Sequence, residues 1–337
     1  MTKVAILGGS GYTALELIKI LLRHPHARIE AVTSRQEGTP YLADVHPSLL
    51  SRLDLRCESF DPDALQRRGV ECAFGCLPHG VSVESVKPLL ARGIRVVDLS
   101  ADYRLRDPFA YATWYGAAHH DTENLAMAVY GLPEVYGDLI ATAPLVANPG
   151  CYPQTAILGL APLVAHKLIE LTGIIVNSCS GVSGAGRTPK LATHFPECNE
   201  SVSAYNVGKH RHQPEMEQVL SDVAGAPVEV LFAPHLVPMD RGIFSTIYAT
   251  PVKPVTEAEL VALYRSHYAN APFVRVRETM PATKDTAHTN YLDVCVQVVR
   301  NKVVVLTCED NLVRGASGVA VQNFNRMFGY DERTGLA

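Results

Sequence analysis

The amino terminus places a strand, a glycine turn and a helix in immediate succession, and this arrangement constrains the fold most. Residues 4–7 form a short apolar run of the kind found in buried parallel strands. In the turn that follows, Gly8, Gly11 and Ala14 fall three residues apart, and apolar residues then recur at helical spacing. Small residues there allow a tight turn, close approach of a pyrophosphate and close helix–sheet packing. The segment therefore predicts a dinucleotide-binding site.

Further strand-like runs alternate with helical patterns through the first half of the chain. Strands are predicted at 29–33, 72–77 and 94–99, and a helix at 83–91. Alternation of this kind indicates a Rossmann-like, doubly wound parallel sheet, whose ligand crevice lies at the carboxyl ends of the strands. The loops at 77–80 and 102–104 are therefore candidate active-site loops. His79 either structures its loop or acts in the site, and Arg104 either holds a substrate anion or pairs with Asp102.

The residues after the second predicted strand indicate which dinucleotide the site prefers. An NAD site carries Asp or Glu near this point, to hold the ribose 2′-hydroxyl. This chain has Ser34 and Arg35 instead. A hydroxyl and a guanidinium suit a 2′-phosphate, so we expect NADP(H), unless Arg35 is only a solvated loop residue.

Period-two alternation becomes the main pattern in the second half, and it predicts an antiparallel or mixed sheet. Strands are expected at 173–179, 228–232, 243–249, 292–300 and 303–308, with a hairpin turn at Asn301 and Lys302. A capping box opens a helix at Thr256, and a last helix after Arg314 is expected to return to the nucleotide domain. The predicted class is α/β, with a nucleotide domain (1–148), an α+β catalytic and oligomerisation domain (149–314) and a closing helix (315–337).

Composition excludes several classes of function. Apolar residues make up 47% and charged residues 19%, which is typical of a globular protein. A net charge of −4 gives no general reason to bind nucleic acid or an anionic membrane. The eight cysteines are dispersed, without ligand spacing for zinc, and are read as reduced thiols. Because the apolar runs are also short for a signal peptide or a membrane span, a cytoplasmic protein without a metal is expected.

Cys151 is the leading candidate for a nucleophile. It follows the apolar run 145–147 and the turn residues Pro149 and Gly150, and a helical pattern extends from Thr155 to about His166. Pro153 suits the first turn of a helix. A cysteine over a helix N-terminus is stabilised as its thiolate, whereas the alternative is a buried structural cysteine.

Two later segments supply partners for such a thiolate. Residues 180–187 form a loop of Gly and Ser that a ligand can approach closely, and Arg187 closes it. Residues 209–212 are basic or titratable, and either His210 or His212 could act as general acid and base. The cations that could hold phosphate or carboxylate groups are Arg104, Arg187, Lys209, Arg211 and Arg241.

A nicotinamide site, an activated cysteine and a histidine together indicate hydride transfer through a thioester. In the reductive direction the thiolate attacks an acyl phosphate, phosphate leaves, and hydride delivery yields an aldehyde. The histidine moves the protons, and local cations hold the phosphate.

The chain resembles the N-acetyl-γ-glutamyl-phosphate reductases of arginine biosynthesis along nearly its whole length. The motifs that carry the resemblance are GGSGY (8–12), LPHG (77–80), SADYR (100–104), YGLPE (130–134), NPGCYP (148–153), SGVSGAGR (180–187), HRHQPE (210–215) and NLVRGA (311–316). Many relatives carry Thr directly after Cys-Tyr-Pro, where this chain has Gln154. Local substrate contacts are therefore expected to differ there.

The resemblance implies that Cys151 is the nucleophile and His210 the acid and base. It also implies NADP, an acyl-phosphate substrate, no nucleic-acid or membrane partner, and a homo-oligomer, a dimer or a tetramer. The residues it assigns to the cofactor are Gly8, Gly9, Ser10, Gly11, Tyr12, Thr13, Ser34, Arg35, Leu77, Pro78, His79, Ser183, Gly184, Asn311 and Gln322.

Other functions remain open at this stage. Aspartate-semialdehyde dehydrogenase shares the chemistry and the domain plan, although its motifs fit these stretches worse. A reductase of the longer aminoadipyl phosphate is harder to separate, because one methylene changes binding by only ~1–3 kcal/mol. An NADP-binding redox sensor would use Cys151 without turnover. A cysteine hydrolase would have no use for the turn at 8–14.

Overall fold

The computed structural model describes residues 1–35 and 38–336, which form two compact units. The first unit combines Met1–Pro149 with the residues from Ala316 onward, and the second is Gly150–Gly315. The chain therefore leaves the first unit once, completes the second, and returns.

The first unit is built on a six-stranded parallel sheet with the strand order β2-β1-β3-β4-β6-β5. This confirms the parallel sheet predicted for the first half. Its central strands are buried along their length, because helices between the strands supply apolar side chains to the same core. Its strands are β1 Thr2–Leu7, β2 Ala27–Thr33, β3 Cys72–Gly75, β4 Arg95–Asp98, β5 Val129–Tyr130 and β6 Leu145–Ala147. Its helices before the boundary are α1 Tyr12–Leu21, α2 Leu42–Val45, α3 Pro62–Arg67, α4 Ser82–Leu90, α5 Pro108–Tyr115, α6 Thr122–Met127 and α7 Pro133–Thr142.

The second unit contains a seven-stranded mixed sheet with the order β11-β12-β13-β10-β7-β9-β8. The β11–β12 and β7–β9 pairs are parallel, and the β12–β13, β13–β10, β10–β7 and β9–β8 pairs are antiparallel. Its strands are β7 Ile174–Ser180, β8 Ser203–Ala204, β9 Val230–Leu236, β10 Ile243–Ala249, β11 Val274–Val276, β12 Leu292–Val299 and β13 Lys302–Glu309. Its helices are α8 Cys151–Ala165, α9 Phe195–Cys198, α10 Gln213–Ala224, α11 Glu257–His267 and α12 Thr283–Thr286. The mixed sheet predicted for the second half is confirmed.

The last helix, α13 (Gly318–Met327), belongs to the first unit and follows a π-helical turn at Val313–Ser317. Asn323 donates its side-chain amide to the backbone of Gly131 at 2.8 Å, and Phe324 packs against Phe74 of β3 with ring centroids 5.7 Å apart. Helix α13 is therefore held within the first unit by a hydrogen bond and by aromatic packing.

Two local expectations were wrong in detail. The β12–β13 hairpin turns at Arg300 and Asn301, one residue earlier than predicted, because Val299 pairs with Lys302. Both turn residues have positive φ, 47° and 59°, as a type I′ turn requires. Helix α8 starts at Cys151 rather than Thr155.

Within 1–35 and 38–336, no helix combines the length and apolar character needed to cross a bilayer.

Candidate active site

Cys151 is the first residue of α8, so its sulfur lies at the amino end of a helix. The preceding Gly150 is the N-cap residue, in extended conformation (φ −69°, ψ 154°), and Pro153 occupies the first turn. A helix N-terminus has unpaired N–H groups and a partial positive charge, which stabilise a thiolate. The side chain is partly exposed, and no described cysteine forms a disulfide.

Two residues distant in sequence hold this turn in place. Glu215 of α10 is buried, and its carboxylate accepts the Gly150 N–H at 2.6 Å. Gly315, in the π-helical turn, leaves no room for a side chain, because a Cβ there would lie 2.8 Å from the Cβ of Cys151. The first turn of α8 is thereby fixed from two directions.

A row of buried hydroxyl groups lies beneath the same turn. Thr155 donates to the Tyr152 carbonyl at 2.8 Å and is 2.8 Å from the hydroxyl of Ser245, which is 2.7 Å from that of Ser178. Ser178 and Ser245 are opposite each other on β7 and β10. Because all of these groups are buried and bonded to one another, they fix the helix start to the sheet.

His210 lies in an aromatic cluster with the residue after the cysteine. Its ring is 5.7 Å, centroid to centroid, from both Tyr152 and Tyr205, whose hydroxyls are 2.8 Å apart. Burial raises the pKa of Tyr205 to about 12, and negative charge on Cys151 acts in the same direction. Burial raises the pKa of Tyr152 as well, so both phenols are neutral at physiological pH.

The protonation of His210 follows from its contacts. Burial, together with the charge of Arg211, lowers the pKa of His210 to about 4. Its Nδ1 accepts the His212 backbone N–H at 3.1 Å, so the neutral ring carries its proton on Nε2. The ring can therefore donate from Nε2 to an oxyanion. The His212 backbone therefore positions the His210 ring, and the two rings lie 4.7 Å apart, centroid to centroid.

The predicted anion-binding cations fall into two groups. Arg104 is buried, and its guanidinium donates to the backbone carbonyls of Asn148 and Leu99 at 2.8 and 2.9 Å. Arg241 is mostly buried and lies 3.5 Å from the Asp310 carboxylate. The exposed cations are Arg187, Lys209 and Arg211. These three exposed cations are therefore more accessible to a ligand than Arg104 and Arg241.

The glycine turn of the first unit has a geometry suited to binding a dinucleotide. Gly8 has φ +83°, and a Cβ there would lie 2.5 Å from the Cys76 carbonyl oxygen, so only glycine fits. Gly11 is the N-cap of α1, and a Cβ there would have no heavy atom within 4 Å. The N–H groups of Gly8 and Gly9 donate to Thr33. Space above a helix N-terminus suits a pyrophosphate, and Ser10, Tyr12 and Thr13 lie at this same turn.

Two buried carboxylates hold the neighbouring loops of the first unit. Asp102 accepts the backbone N–H groups of Gly80 and Ser82 at 2.7 and 3.1 Å, which fixes the loop of Leu77, Pro78 and His79. Asp98 accepts the hydroxyls of Ser82 and Ser100, each at 2.6 Å. Burial raises the pKa of Asp98 to about 6, and the charge of Asp102 acts in the same direction.

The residues expected to bind the 2′-phosphate follow β2. The Ser34 N–H donates to the Glu58 carbonyl, and Arg35 lies 3.5 Å from Glu84. Both side chains of this ion pair are largely exposed. Exposed pairs are weak, so the guanidinium can turn to a ligand at small cost.

The remaining expected cofactor residues have structural contacts of their own. The Asn311 amide accepts the Gly242 N–H at 2.8 Å and donates to the Ser183 hydroxyl at 3.0 Å, which holds the loop that includes Gly184. In the first unit, Gln322 donates to Glu332 at 2.8 Å. Within the contacts described, Asn311 is therefore a brace for the Ser183 loop.

Sequence reasoning missed Glu215, Tyr152, Tyr205 and Gly315 as site residues. Glu215, Tyr152 and Gly315 stand in the quoted motifs, whereas Tyr205 lies outside them. Their roles depend on contacts across the fold, such as the bond between Gly150 and Glu215, 65 residues apart.

Comparison with known proteins first defines the class. The chain matches the family model "Semialdehyde dehydrogenase, NAD binding domain" over residues 3–143 and "Semialdehyde dehydrogenase, dimerisation domain" over residues 151–311. The fold is similar to aspartate semialdehyde dehydrogenase with NADP from Candida albicans (TM-score 0.73, 15% identity, 98% of each chain). It is also similar to aspartate semialdehyde dehydrogenase II from Vibrio cholerae (TM-score 0.72, 16% identity, 97% of this chain and 98% of the other). The chain belongs to the semialdehyde dehydrogenase class, and its fold is that of these structures.

Sequence relatives narrow this class to one family. The N-acetyl-gamma-glutamyl-phosphate reductase of Rhodopirellula baltica is 49% identical over 99% of this chain and 98% of its own length. That of Desulforudis audaxviator is 48% identical over 100% and 98%. The chain belongs to the N-acetyl-gamma-glutamyl-phosphate reductase family.

Proposed function

We propose that this chain reduces N-acetyl-γ-glutamyl phosphate with NADPH, giving N-acetylglutamate 5-semialdehyde and phosphate for arginine biosynthesis. The observation that carries the proposal is Cys151 at the start of α8, braced by Glu215 and Gly315. The cytoplasm is the proposed compartment, because reduced thiols persist there and the cysteines form no disulfide among the described residues.

Cys151 acts as the nucleophile. Its thiolate attacks the acyl carbon, the C–O bond to phosphate breaks, and a thioester forms. The negative charge that develops on the acyl oxygen is stabilised by the first-turn N–H groups of α8, which lack partners within the helix. Hydride from bound NADPH would convert this thioester to a thiohemiacetal, which collapses to the aldehyde as the C–S bond breaks and the thiolate is regenerated.

His210 supplies hydrogen bonding and the proton. Its neutral ring donates from Nε2, the nitrogen opposite the one that accepts the His212 N–H. Overall reduction consumes one proton, which leaves with phosphate, and His210 would deliver it as a transient imidazolium, because the resting neutral ring can only donate a hydrogen bond. Tyr152 and Tyr205 shield the ring from water on two sides.

NADPH supplies the hydride when it is bound. The turn from Gly8 to Thr13 would hold its pyrophosphate, since Gly11 leaves space above α1. Ser34 and Arg35 would bind the 2′-phosphate, and this is the basis for proposing NADP over NAD. Arg35→Ala should raise KM for NADPH about tenfold or more, the loss of one charge-assisted contact, with little change for NADH. An equal effect on both cofactors would exclude this role.

The open face of the seven-stranded sheet supports a homo-oligomer. Leu231, Ile175 and Tyr248 lie opposite one another on three adjacent strands, and each is exposed. A contiguous apolar row on a sheet face is typical of a protein–protein contact. We propose that the second unit forms a dimer or tetramer through this face.

The test of the proposed activity is NADPH formation from N-acetylglutamate 5-semialdehyde and phosphate, with aspartate semialdehyde and the one-carbon-longer N-acylated semialdehyde in parallel. Strong turnover on the first compound alone supports the proposal. Preference for either of the others moves the assignment to that substrate. Binding of NADPH without turnover on any of them, with selective sulfenic-acid labelling of Cys151, identifies a redox sensor.

A further inference from the structure

The loop that follows β3 lies beside the glycine turn in the first unit. The sheet places β1 between β2 and β3, so the strand order reverses between β1 and β3. A Cβ on Gly8 would lie 2.5 Å from the Cys76 carbonyl oxygen and 3.1 Å from the Leu77 side chain, so the two loops are in contact. In a doubly wound sheet the crevice at such a point binds the dinucleotide. Residues 77–80, called the cofactor loop here, therefore form one wall of the proposed NADPH site.

Asp102 fixes the cofactor loop by accepting hydrogen bonds from three donors. Its Oδ1 atom accepts the Gly80 N–H at 2.7 Å and the Tyr111 hydroxyl at 3.0 Å, and its Oδ2 atom accepts the Ser82 N–H at 3.1 Å. The carboxylate is fully buried. Because a buried charge is costly without hydrogen bonds, all three donors help to hold the carboxylate, and through it the loop, in place.

Helix α5 brings Tyr111 to this carboxylate. Tyr111 is buried, whereas the other residues of α5, all of them described, are exposed or half-buried. Its ring stacks on that of Tyr115, with the centroids 4.7 Å and the planes 13° apart, and forms a T-shaped contact with His119 at 4.8 Å. These two contacts fix the direction of the ring, and therefore the direction in which its hydroxyl points.

The same helix contacts the cofactor loop at a second point. The ring of Tyr115, the last residue of α5, lies 5.9 Å from the ring of His79, centroid to centroid. His79 is exposed and Tyr115 is half-buried. One helix therefore holds the loop at two places, at Gly80 through the Asp102 carboxylate and at His79 through an aromatic ring.

We propose that Tyr111 is a positioning residue for NADPH, because its hydroxyl, through Asp102, holds the cofactor loop in the conformation that binds the dinucleotide. The binding of NADPH at this loop rests on the proposed function, whereas the ordering of the loop by Tyr111 does not. A loop that is ordered before its ligand arrives loses less conformational entropy on binding, so the ligand binds more tightly. As a positioning residue, Tyr111 should change cofactor affinity rather than kcat at saturating NADPH.

The test compares two variants that each lose one phenolic oxygen in the first unit. Tyr111→Phe removes the hydrogen bond to Asp102 and keeps the contacts of the ring. Tyr330→Phe is the matched control, and it removes a hydroxyl that lies 2.8 Å from that of Thr2. Thr2 is the first residue of β1, at the opposite end of that strand from the glycine turn.

Two measurements separate the ordering of the loop from the binding of the cofactor. Amide hydrogen exchange, followed by mass spectrometry, reports on the N–H groups of Gly80 and Ser82. Fluorescence titration gives the Kd for NADPH, and steady-state kinetics give KM and kcat. Thermal unfolding checks that each variant is folded. Tyr115→Leu, which removes the ring contact with His79, tests α5 even if Tyr111→Phe does not fold.

The expected result is specific to the cofactor loop. In Tyr111→Phe, residues 77–82 should exchange faster, and the Kd and KM for NADPH should rise about threefold to tenfold while kcat is kept. This is less than the full effect of one hydrogen bond to a charged group, because the two N–H groups still bind the carboxylate. Tyr115→Leu should change both measurements in the same direction. Tyr330→Phe should leave the exchange of the loop and the NADPH affinity unchanged, even if it lowers Tm.

Three results would overturn the proposal. They are unchanged exchange of the loop in Tyr111→Phe, equal effects of Tyr111→Phe and Tyr330→Phe on NADPH affinity, and faster exchange of the loop without any loss of NADPH affinity. If Tyr111→Phe does not fold, the same three criteria apply to Tyr115→Leu. If the unmodified protein does not bind NADP(H), the proposed function fails instead, and hydrogen exchange still decides whether Tyr111 orders the loop.

Discussion

At the scale of single residues, the sulfur of Cys151 is the group whose removal is most informative. Cys151→Ser keeps the size of the side chain but replaces a thiolate with a hydroxyl that is protonated at neutral pH. Turnover should become undetectable, while NADPH affinity, measured by fluorescence, stays unchanged because the glycine turn is in the other unit. Substantial residual turnover would remove Cys151 from the nucleophile role.

The two histidines of the motif should differ in their effect on rate. His210→Ala removes the ring whose Nε2 can donate, and should lower kcat roughly 10²–10⁴-fold. His212→Ala keeps the backbone N–H that bonds to His210, so kcat should fall less in this variant than in His210→Ala. Steady-state kinetics on both variants decide this, and the opposite ranking would assign the proton chemistry to His212.

Asp98 should give the first unit a measurable pH dependence of stability. Burial raises its pKa to about 6 from the ordinary 3.8. A carboxyl whose folded pKa is raised stabilises the fold below its unfolded pKa, and this stabilisation is lost as the pH rises through about 6. Asp98→Asn should therefore gain stability relative to the unmodified protein between about pH 4 and 6, up to roughly 3 kcal/mol. Urea unfolding across that range tests it, and a pH-independent difference would contradict it.

At the scale of elements, the sequence predicts that a helix or strand exists more reliably than it predicts the residues at which that element begins and ends. Helix α8 begins at Cys151 rather than Thr155, although Pro153 already favoured a helix start there. The turn of the β12–β13 hairpin was misplaced because Arg300 gives no local indication of the positive φ that it adopts, although Asn301 tolerates positive φ. Strand register decides that turn, and register depends on packing across the whole sheet.

The same scale explains which parts of the site escaped prediction. Glycine spacing and the motif around Cys151 are local signals, and they point to local geometry. Glu215 and Gly315 act by reaching the start of α8 from other elements. Spacing along the chain carries no information about such contacts, so only the folded structure reveals them.

Gly315 gives a prediction about how the π-helical turn packs against α8. In Gly315→Ala the new methyl group would lie 2.8 Å from the Cβ of Cys151, so the helix start or the turn must shift. A displacement of about 1 Å can cost ~10²-fold in rate. We expect kcat to fall strongly while NADPH affinity is retained. Thermal unfolding is the control, since a fold lost altogether would show as a collapsed Tm, and unchanged kcat would mean that the turn yields freely.

At the scale of the whole molecule, the order of patterns along the chain was enough to predict two units of different type. Strands alternating with helices indicated the parallel sheet, and period-two runs indicated the mixed one. The strand order of the mixed sheet could not be predicted from these patterns. Its neighbours β10 and β7 are separated in the chain by β8 and β9, and this long-range pairing leaves no local trace.

The discontinuous first unit leads to the last prediction, which concerns the C-terminal segment. Phe324 is fully buried against Phe74, and the ring of His24 bonds to Asn325 at 2.8 Å. A fragment of residues 1–149 loses these contacts and exposes part of its core, so it should neither unfold cooperatively nor bind NADPH as the full chain does. The same fragment joined through a short Gly/Ser linker to residues 316–337 should recover both, because Asn148 lies 3.0 Å from the Ala316 carbonyl. Calorimetry and NADPH fluorescence compare the two, and native behaviour of the shorter fragment would show that α13 is dispensable to its unit.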